Sequence, residues 1–189
     1  MRSTLRTGLS LIAAAGLSAC AMGPATPVAP QPARSIDSAR LYTGRWYEIA
    51  RTPMHITNGC VAGTTDYIQD TDGHLREVDA CHMNTPEGKE ESIQGPMVIL
   101  NPPENNKTLV HYHVFYNLIT ISRTYWILDR GADYDWFIFT DPGFKTISIF
   151  TRTPRPSAAE VAKLTDRARA LGYDTAKLEY PTPFPGGGG

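Results

Sequence analysis

Residues 44–51 read GRWYEIAR and begin a series of short segments in which apolar and polar side chains alternate. Alternation with a period of two residues is typical of β-strands that bury one face. Turn residues separate the segments, for example DTDG at 70–73 and NPPENN at 101–106. We therefore predict eight strands, near residues 44–52, 60–69, 74–82, 91–100, 107–115, 122–129, 134–140 and 145–152.

No helical pattern interrupts these strands, so the sequence predicts an all-β antiparallel barrel or sandwich. One helix follows them. Ser157 and Glu160 have the spacing of a capping box, and Gly172 is a typical helix stop. Apolar residues recur between them at helical spacing, at Val161, Leu164, Ala168 and Leu171. A helix with one apolar stripe is expected to pack against the outside of the sheet.

The composition limits the classes of function. The chain has 189 residues, of which 41% are hydrophobic, with 18 basic and 19 acidic side chains. This length suits one domain of about 150 residues with terminal extensions. A net charge of −1 argues against nucleic-acid binding, because that function needs a concentrated basic face.

The N-terminus has the pattern of an export signal. Arg2 and Arg6 precede an apolar run that is too short for the roughly 20 residues that span a bilayer. The run ends in residues 17–20, LSAC, which resemble the bacterial lipobox. We expect removal of residues 1–19 and acylation of the Cys20 thiol, which would anchor the protein to a membrane. The alternative is an ordinary signal peptide in which Cys20 has no such role. Cleavage would leave 16 of the 18 basic residues against 19 acidic ones, a net charge of −3.

Both ends of the remaining chain are predicted to be linkers. Four prolines at positions 24, 27, 30 and 32 favour an extended polyproline spacer over residues 20–36. Residues 181–189, PTPFPGGGG, lack side chains that could form a core and are predicted to be a disordered tail. The folded domain is therefore expected over residues 37–180.

Three blocks of sequence resemble the conserved regions of the lipocalins. Residues 44–51 are similar to the first signature, a Gly-x-Trp block that opens the first strand. Residues 125–129, YWILD, together with Tyr134, resemble the second, and residues 151–154, TRTP, resemble the third. The similarity covers about residues 40–180 and is greatest to bacterial outer-membrane lipocalins related to apolipoprotein D. It implies an eight-stranded up-and-down barrel, or calyx, with one C-terminal helix packed outside.

The resemblance and strand alternation together suggest how the closed end of the barrel is sealed. Gly44 opens the first strand, Trp46 is expected to face inward, and Arg152 to lie over the indole ring. We interpret these three residues as structural. If Trp46 faces inward, alternation also turns Glu48 and Ala50 inward, whereas Tyr47, Ile49 and Arg51 face outward.

The calyx is expected to hold a small hydrophobic ligand, since eight strands enclose about that much space. We predict a fatty acid or lysophospholipid, with its tail inside and its head at the rim. The candidate ligand-binding residues are the expected inward-facing positions Ala50, Tyr112, Val114, Tyr125, Ile127, Phe139 and Phe150. The subgroup tends to carry an aromatic residue where this chain has Ser148, so the ligand preferences of relatives need not apply.

Two cysteines remain besides Cys20. In a hairpin that turns at residues 70–73, the residue opposite Cys60 lies within about two positions of residues 81–83, so Cys60 and Cys81 are expected on neighbouring strands near the same end. In an oxidising compartment a disulfide is the expected outcome, and two free thiols are the alternative.

Other chemistry has little support in the sequence. His111 and His113 lie on one strand face with a spacing seen in metal sites, but no third ligand is placed beside them, so no metal is predicted. No nucleophile elbow and no phosphate-binding glycine motif occurs, so we predict no catalytic residues and no cofactor.

The functional prediction is therefore a lipid-binding lipoprotein, for lipid storage or transport in envelope maintenance. It is expected at the outer membrane and facing the periplasm, with the lipid ligand and the membrane as partners and a homodimer as a further option. Two alternatives stay open. One is a filled barrel that serves as a protein-interaction module, and the other is an enzyme that uses the calyx.

Overall fold

The computed structural model describes residues 28–114 and 118–182. Its eight strands are β1 (Gly44–Arg51), β2 (Cys60–Gln69), β3 (Leu75–Met83), β4 (Glu90–Ile99), β5 (Lys107–Val114), β6 (Ile119–Arg130), β7 (Trp136–Thr140) and β8 (Ile147–Thr151). A short helix, α1 (Ser38–Leu41), precedes them, and α2 (Ala158–Ala170) follows them. Single 3₁₀ turns lie at His55–Thr57 and Thr175–Lys177.

The strands form a closed antiparallel barrel in chain order. β1 pairs with β2 through Gly44 and Tyr67, and it also pairs with β8 through Tyr47 and Thr151, which closes the cylinder. The predicted up-and-down barrel with an external helix is confirmed. All eight predicted strands are present, with ends that differ by a few residues.

Two hydrophobic clusters lie on opposite faces of the barrel wall. The inner cluster fills the end of the barrel at which β1 begins, and its buried members include Trp46, Tyr67, Met97, Val110, Tyr112, Ile127, Phe137 and Phe150. The outer cluster joins β1, β7 and β8 to helix α2 through Ile49, Ala50, Ile138, Ile147, Ile149, Leu164, Ala168 and Tyr173. Helix α2 therefore covers one side of the barrel, as its apolar stripe predicts.

Helix α2 begins as its sequence predicts. The hydroxyl of the N-cap residue Ser157 accepts a hydrogen bond from the Glu160 amide at 3.2 Å. Its last turn ends at Gly172, whose φ of 94° lies in the left-handed region that glycine enters without strain.

Residues 28–36 of the predicted spacer contact the barrel wall. The Ala29 amide donates to the Pro142 carbonyl at 3.0 Å, and the Ile36 amide donates to Glu104 at 2.7 Å. The Asn106 side chain donates to the Arg34 carbonyl at 2.9 Å. Ala29 and Ile36 are both buried. We call residues 28–36 the strap. The predicted signal peptide, Cys20, and residues 183–189 of the predicted tail lie outside the described residues.

Within the described ranges, no helix is long and apolar enough to cross a membrane.

Candidate functional site

The end of the barrel at which β1 begins is closed by a cation over an indole ring. The Arg152 guanidinium carbon lies 3.6 Å from the centre of the Trp46 ring, and Trp46 is completely buried. The indole N–H donates to the Leu41 carbonyl at 3.0 Å, which ties helix α1 to the barrel floor. Arg152 also donates to the carbonyls of Thr43, Arg45 and Arg40 at 2.8, 2.9 and 3.1 Å. Because these contacts link backbone on both sides of the floor, they hold this end shut.

Gly44 contributes to this closure through its backbone. Its φ of 61° is in the left-handed region, and a Cβ at this position would lie 3.6 Å from an Arg152 terminal nitrogen. A side chain would therefore strain the backbone where the strand starts. The positions of Gly44, Trp46 and Arg152 support the structural interpretation of all three.

Six of the seven predicted ligand residues lie on the inner face. Tyr112, Ile127 and Phe150 belong to the buried inner cluster, and Tyr125 and Phe139 pack against it. Val114 follows Tyr112 by two residues on β5 and therefore shares its face. Three of the inner rings are close together. The Tyr125 and Phe139 ring centres are 4.6 Å apart, and Phe139 and Phe150 stack at 5.5 Å.

The inward orientation predicted for Ala50 is wrong. A bulge shifts the pairing of β1 with β8 between Glu48 and Ala50, so that Ala50 lies opposite Ile149. A bulge inserts one residue and reverses the alternation beyond it. Ala50 therefore packs under helix α2 in the outer cluster and cannot line the calyx.

The same bulge turns Arg51 inward, against the predicted outward orientation. Its Nη1 lies 2.7 Å from Glu48 Oε2, and its Nε lies 2.6 Å from Glu179 Oε1. Its Nη2 donates to the Cys60 carbonyl at 2.6 Å. Burial raises the pKa of Glu48, against the effect of Arg51 and of a hydrogen bond from Ser148. The pKa of Arg51 is also raised, because the two carboxylates outweigh the effect of burial.

Cys60 and Cys81 form a disulfide, with Cα atoms 5.5 Å apart. They lie on neighbouring strands, where Cys81 lies opposite Gly63 and a bulge between Cys60 and Ala62 places Cys60 opposite Met83. The pairing predicted from the hairpin is therefore present. The Arg51 Nη1 donates to the Cys60 sulfur at 3.2 Å, so the disulfide adjoins the Arg51 ion pairs.

The centre of the barrel holds two carboxyl groups, on Glu77 and Asp79. The Tyr112 hydroxyl oxygen lies 2.6 Å from Glu77 Oε1 and also 2.6 Å from Asp79 Oδ2. The Thr65 hydroxyl donates to Asp79 Oδ1 at 2.6 Å, and the Tyr125 hydroxyl lies 3.4 Å from that of Tyr112. Glu77 is 1% exposed, and its Oε2 has no hydrogen-bond partner among the described residues. We call Glu77 and Asp79 the acid pair.

The environment of the acid pair favours its protonated forms. Burial raises the pKa of Glu77 well above its ordinary value, and the neighbouring charge of Asp79 raises it further, against hydrogen bonds from Tyr112 and Tyr67. Burial also raises the pKa of Asp79, against hydrogen bonds from Thr65 and Tyr112. In the described part of the chain, no Lys, Arg or His forms an ion pair with either carboxyl group.

Exposed inner-face side chains occur toward the opposite, open end. Asp79 pairs with Ile93 on β4, and Tyr112 pairs with Ile121 on β6. Tyr112 is buried, whereas Asp79, Ile93 and Ile121 are partly exposed. Arg123 pairs with the buried Val110 and therefore shares the inner face. Arg123 is exposed, and no ion-pair or hydrogen-bond partner for it is found within the described ranges. The open half of the calyx thus combines apolar walls with Arg123, a cation that has no partner among the described residues.

Apolar side chains also surround the open end. Met54 and Ile56 lie between β1 and β2, and they are 40% and 64% exposed. Leu118 and Ile119 lie where β6 begins, and they are 84% and 49% exposed. Both segments are at the end of the barrel opposite Trp46, because they join strands β1 to β2 and β5 to β6. We call these four residues the rim.

The two histidines of β5 lie on its outer face. His111 Nδ1 is 2.8 Å from the Ser122 hydroxyl, and His113 Nδ1 is 3.3 Å from the Thr120 hydroxyl. No group of three metal-ligating side chains is found in residues 28–114 and 118–182. Neither histidine contributes to the calyx.

The family model described as a lipocalin-like domain matches residues 36–183. The chain belongs to this family. Temperature-induced lipocalin-1 of Arabidopsis thaliana is 30% identical over 147 residues, which cover 75% of this chain and 76% of that protein. Outer membrane lipoprotein Blc of Vibrio cholerae is 23% identical over 140 residues, which cover 74% of this chain and 78% of that protein.

Solved structures share the fold of this lipocalin. Insecticyanin from the tobacco hornworm Manduca sexta superimposes with a TM-score of 0.61 at 17% identity, covering 82% of this chain and 86% of that one. A biogenic amine-binding protein superimposes with a TM-score of 0.57 at 14% identity, covering 79% and 83%. At these identities, the likeness concerns the barrel alone.

Sequence reasoning did not single out Glu77, Asp79 or Arg123 in this lipocalin. Strand β3 carries charged residues on both faces, since Arg76 alternates with Glu77. Polarity therefore does not indicate which face is inside. The hairpin turn at residues 70–73 does indicate the face, because it sets Asp79 opposite Thr65. Thr65 in turn pairs with the inward-facing Trp46, so Asp79 lies on the inner face.

Proposed function

We propose that this lipocalin binds an amphiphile with one hydrocarbon chain, a fatty acid or a lysophospholipid, in the open half of its calyx. The observation that carries the proposal is the inner wall above Tyr112, where apolar side chains keep exposed surface beside a free cation. Ligand pockets are commonly apolar, with few polar groups that fix orientation. Ile93, Val114, Ile121 and Phe139 supply the apolar wall.

Arg123 supplies the polar contact that such a ligand needs. A guanidinium binds carboxylate and phosphate oxygens through two parallel hydrogen bonds. Fatty acids carry the first group and lysophospholipids the second. Because Arg123 has no partner among the described residues, no existing ion pair must break for it to bind the ligand.

We further propose that the protein is anchored to the outer membrane through acylated Cys20 and faces the periplasm, where it stores or transports lipid for envelope maintenance. The lipobox-like sequence supports this location, and so does the similarity to a Vibrio cholerae protein named as an outer membrane lipoprotein. The strap supports it as well. The Ala29 amide bonds to Pro142 in the loop between β7 and β8, at the open end. Only residues 21–28 therefore separate the proposed anchor, Cys20, from Ala29 at the calyx mouth.

The proposed activity is binding without chemical change to the ligand. All five histidines lie in loops or on the outer wall, at positions 55, 74, 82, 111 and 113, so none can act as a base inside the calyx. The inner hydroxyls of Thr65 and Tyr112 contact carboxyl groups instead.

A second candidate function is a protein-interaction module, and the rim favours it. Large apolar side chains that stay exposed often mark contact surfaces, and Leu118 is 84% exposed. In this case the rim would contact a partner protein, and the calyx would take no ligand.

Native mass spectrometry separates the two functions. The full chain with Cys20→Ser, which prevents acylation, is exposed to a lysophospholipid and to a fatty acid. We expect one bound molecule per chain, with weaker retention in Arg123→Gln and unchanged retention in Lys163→Gln, a cation on the outer helix. Absence of any bound lipid, while an established lipocalin binds under the same conditions, would contradict the proposal and favour the module.

A further inference from the structure

The acid pair lies at the floor of the open half of the calyx, where no described Lys, Arg or His forms an ion pair with it. Two carboxyl groups that share one hydroxyl cannot both be ionised without cost, since like charges in a buried site repel strongly. No side-chain cation pairs with them in the described part of the chain. Arg123 faces the same part of the calyx but forms no ion pair with either carboxyl group, so at contact distance the balancing positive charge comes from a proton or from a bound molecule.

The hydrogen bonds of Tyr112 show how the charge of the acid pair is balanced. The Tyr112 hydroxyl has one proton, so it can donate to only one of its two carboxyl neighbours. Both contacts are 2.6 Å long. The second contact is a hydrogen bond only if that carboxyl group carries a proton and donates to the phenol oxygen. In this arrangement the acid pair thus holds one proton, in agreement with the raised pKa of both groups.

The Glu77 carboxyl group can accept a further hydrogen bond. Its Oε2 is buried and has no hydrogen-bond partner in residues 28–114 and 118–182. Unsatisfied buried oxygens are rare in native proteins, because each loses its hydrogen bonds to water without a replacement. Asp79, just above it, is partly exposed. An incoming donor would meet Asp79 first and could approach Glu77 by a small movement of the side chain.

The aromatic rings beside the acid pair suit a cation. The Tyr125 hydroxyl adjoins that of Tyr112, and its ring packs against Phe139. Aromatic faces attract organic cations, with the greatest effect at desolvated sites. Carboxylates and aromatic faces together therefore favour an ammonium group over a neutral or anionic one.

We propose that the acid pair, with Tyr112 and Tyr125, binds the protonated amine of an amphiphile, which enters the calyx with its polar end first. This inference rests on the proposed function, since it concerns the same calyx, and it reverses the orientation expected from the sequence. The distribution of polarity supports the reversal. Below the pair, Trp46, Phe137 and Phe150 are buried in the floor, whereas the rim residues Met54, Ile56, Leu118 and Ile119 are exposed apolar side chains at the mouth. The hydrocarbon chain would therefore leave through the rim.

Arg123 completes the site for one class of head group. Arg123 and Tyr125 are two residues apart on the inner face of β6, and the Tyr125 hydroxyl adjoins that of Tyr112. Burial raises the pKa of the Tyr125 hydroxyl, the acid pair raises it further, and Arg123 lowers it. A cation and an acid pair therefore face the same part of the calyx. A lysophospholipid with an amine in its head group carries the matching phosphate and ammonium, whereas a fatty acid carries only the anion.

Three matched ligands test the inference: dodecylamine, dodecanol and dodecanoate, measured at neutral pH by displacement of a neutral fluorescent probe. The full chain with Cys20→Ser is compared with Asp79→Asn, Glu77→Gln and Glu87→Gln, the last being a matched change in an exposed loop. We expect the amine to bind about tenfold more tightly than the alcohol, which corresponds to one retained ion pair. Asp79→Asn should remove this preference without changing alcohol binding, and Glu87→Gln should leave both unchanged.

The outcomes distinguish the inference from the proposed function. Equal affinity for amine and alcohol in the parent protein, or a preference that persists in Asp79→Asn, would overturn the inference and leave amphiphile binding intact. Failure of all three ligands to bind would overturn the proposed function as well. Calorimetry in two buffers of different ionisation enthalpy adds a second readout, since it measures how many protons are released on binding. If the amine displaces the proton shared by the acid pair, binding releases protons, and Glu77→Gln should reduce this release.

Discussion

The Arg152 guanidinium lies 3.6 Å from the centre of the buried Trp46 ring, and the two residues come from opposite ends of the domain. Replacing Trp46 with Ala should lower the free energy of unfolding by about 3–5 kcal/mol, the usual cost of removing a buried aromatic side chain. Chemical denaturation measures the change. Trp126 provides a matched control, since Lys107 lies 4.1 Å from its ring on the outer wall. Equal losses in Trp46→Ala and Trp126→Ala would contradict a special role for the floor.

Arg51 should be more important for stability than its place on the first strand suggests. Its side chain is 2% exposed, and the Glu48 carboxylate that it neutralises is 12% exposed. Arg51→Ala would leave that carboxylate buried and unpaired, which costs about 3–5 kcal/mol. Denaturant unfolding measures the loss. Glu179→Gln should cost much less, because Glu179 is 42% exposed. A mild effect of Arg51→Ala, no larger than that of Glu179→Gln, would refute the account of this ion pair.

The disulfide should stabilise the barrel measurably. Cys60 and Cys81 are separated by 21 residues, and closing a loop of this size contributes about 3 kcal/mol in the chain-entropy description. We expect a clearly lower Tm after reduction and in the double variant Cys60→Ser/Cys81→Ser. Thiol titration of the denatured, unreduced protein provides the check, since two reactive thiols besides Cys20 would show that the bond does not form.

The acid pair should make stability depend on pH. Carboxyl groups like those of Glu77 and Asp79 ionise near 4.5 and 3.8 in the unfolded chain, and the fold raises both pKa values. Above pH 4 the folded state therefore binds more protons than the unfolded state, so stability falls as the pH rises toward the folded pKa values. Glu77→Gln removes part of this dependence. We expect a flatter curve of unfolding free energy against pH from 4 to 8 for the variant.

Glu48 contributes to the same pH dependence, because its pKa is also raised. Glu48 is present in both the parent protein and Glu77→Gln, so the difference between their curves of unfolding free energy against pH reports the contribution of Glu77. Parallel curves would show that Glu77 ionises in the folded state as easily as in the unfolded chain.

The barrel could be predicted from sequence because its signals are local. Alternating strands, turn residues and the Ser157 cap each depend on a few neighbouring residues, and the floor contact of Trp46 with Arg152 followed from the family resemblance. The interior was less predictable. A single bulge after Glu48 exchanged the faces of Ala50 and Arg51, and nothing in residues 44–51 marks where the extra residue lies. The acid pair depends on strand register, which turned Glu77 and Asp79 inward, although isolated acidic residues usually face solvent.

The most direct measurement is a crystal structure of the full chain with Cys20→Ser, grown with a lysophosphatidylethanolamine. The account predicts one lipid in the open half of the calyx, with its phosphate at Arg123, its ammonium at Asp79 and its hydrocarbon chain passing Leu118 at the rim. A lipid whose chain points down toward Trp46 would contradict the orientation. A calyx without lipid, at concentrations that saturate a known lipocalin, would contradict the binding function itself.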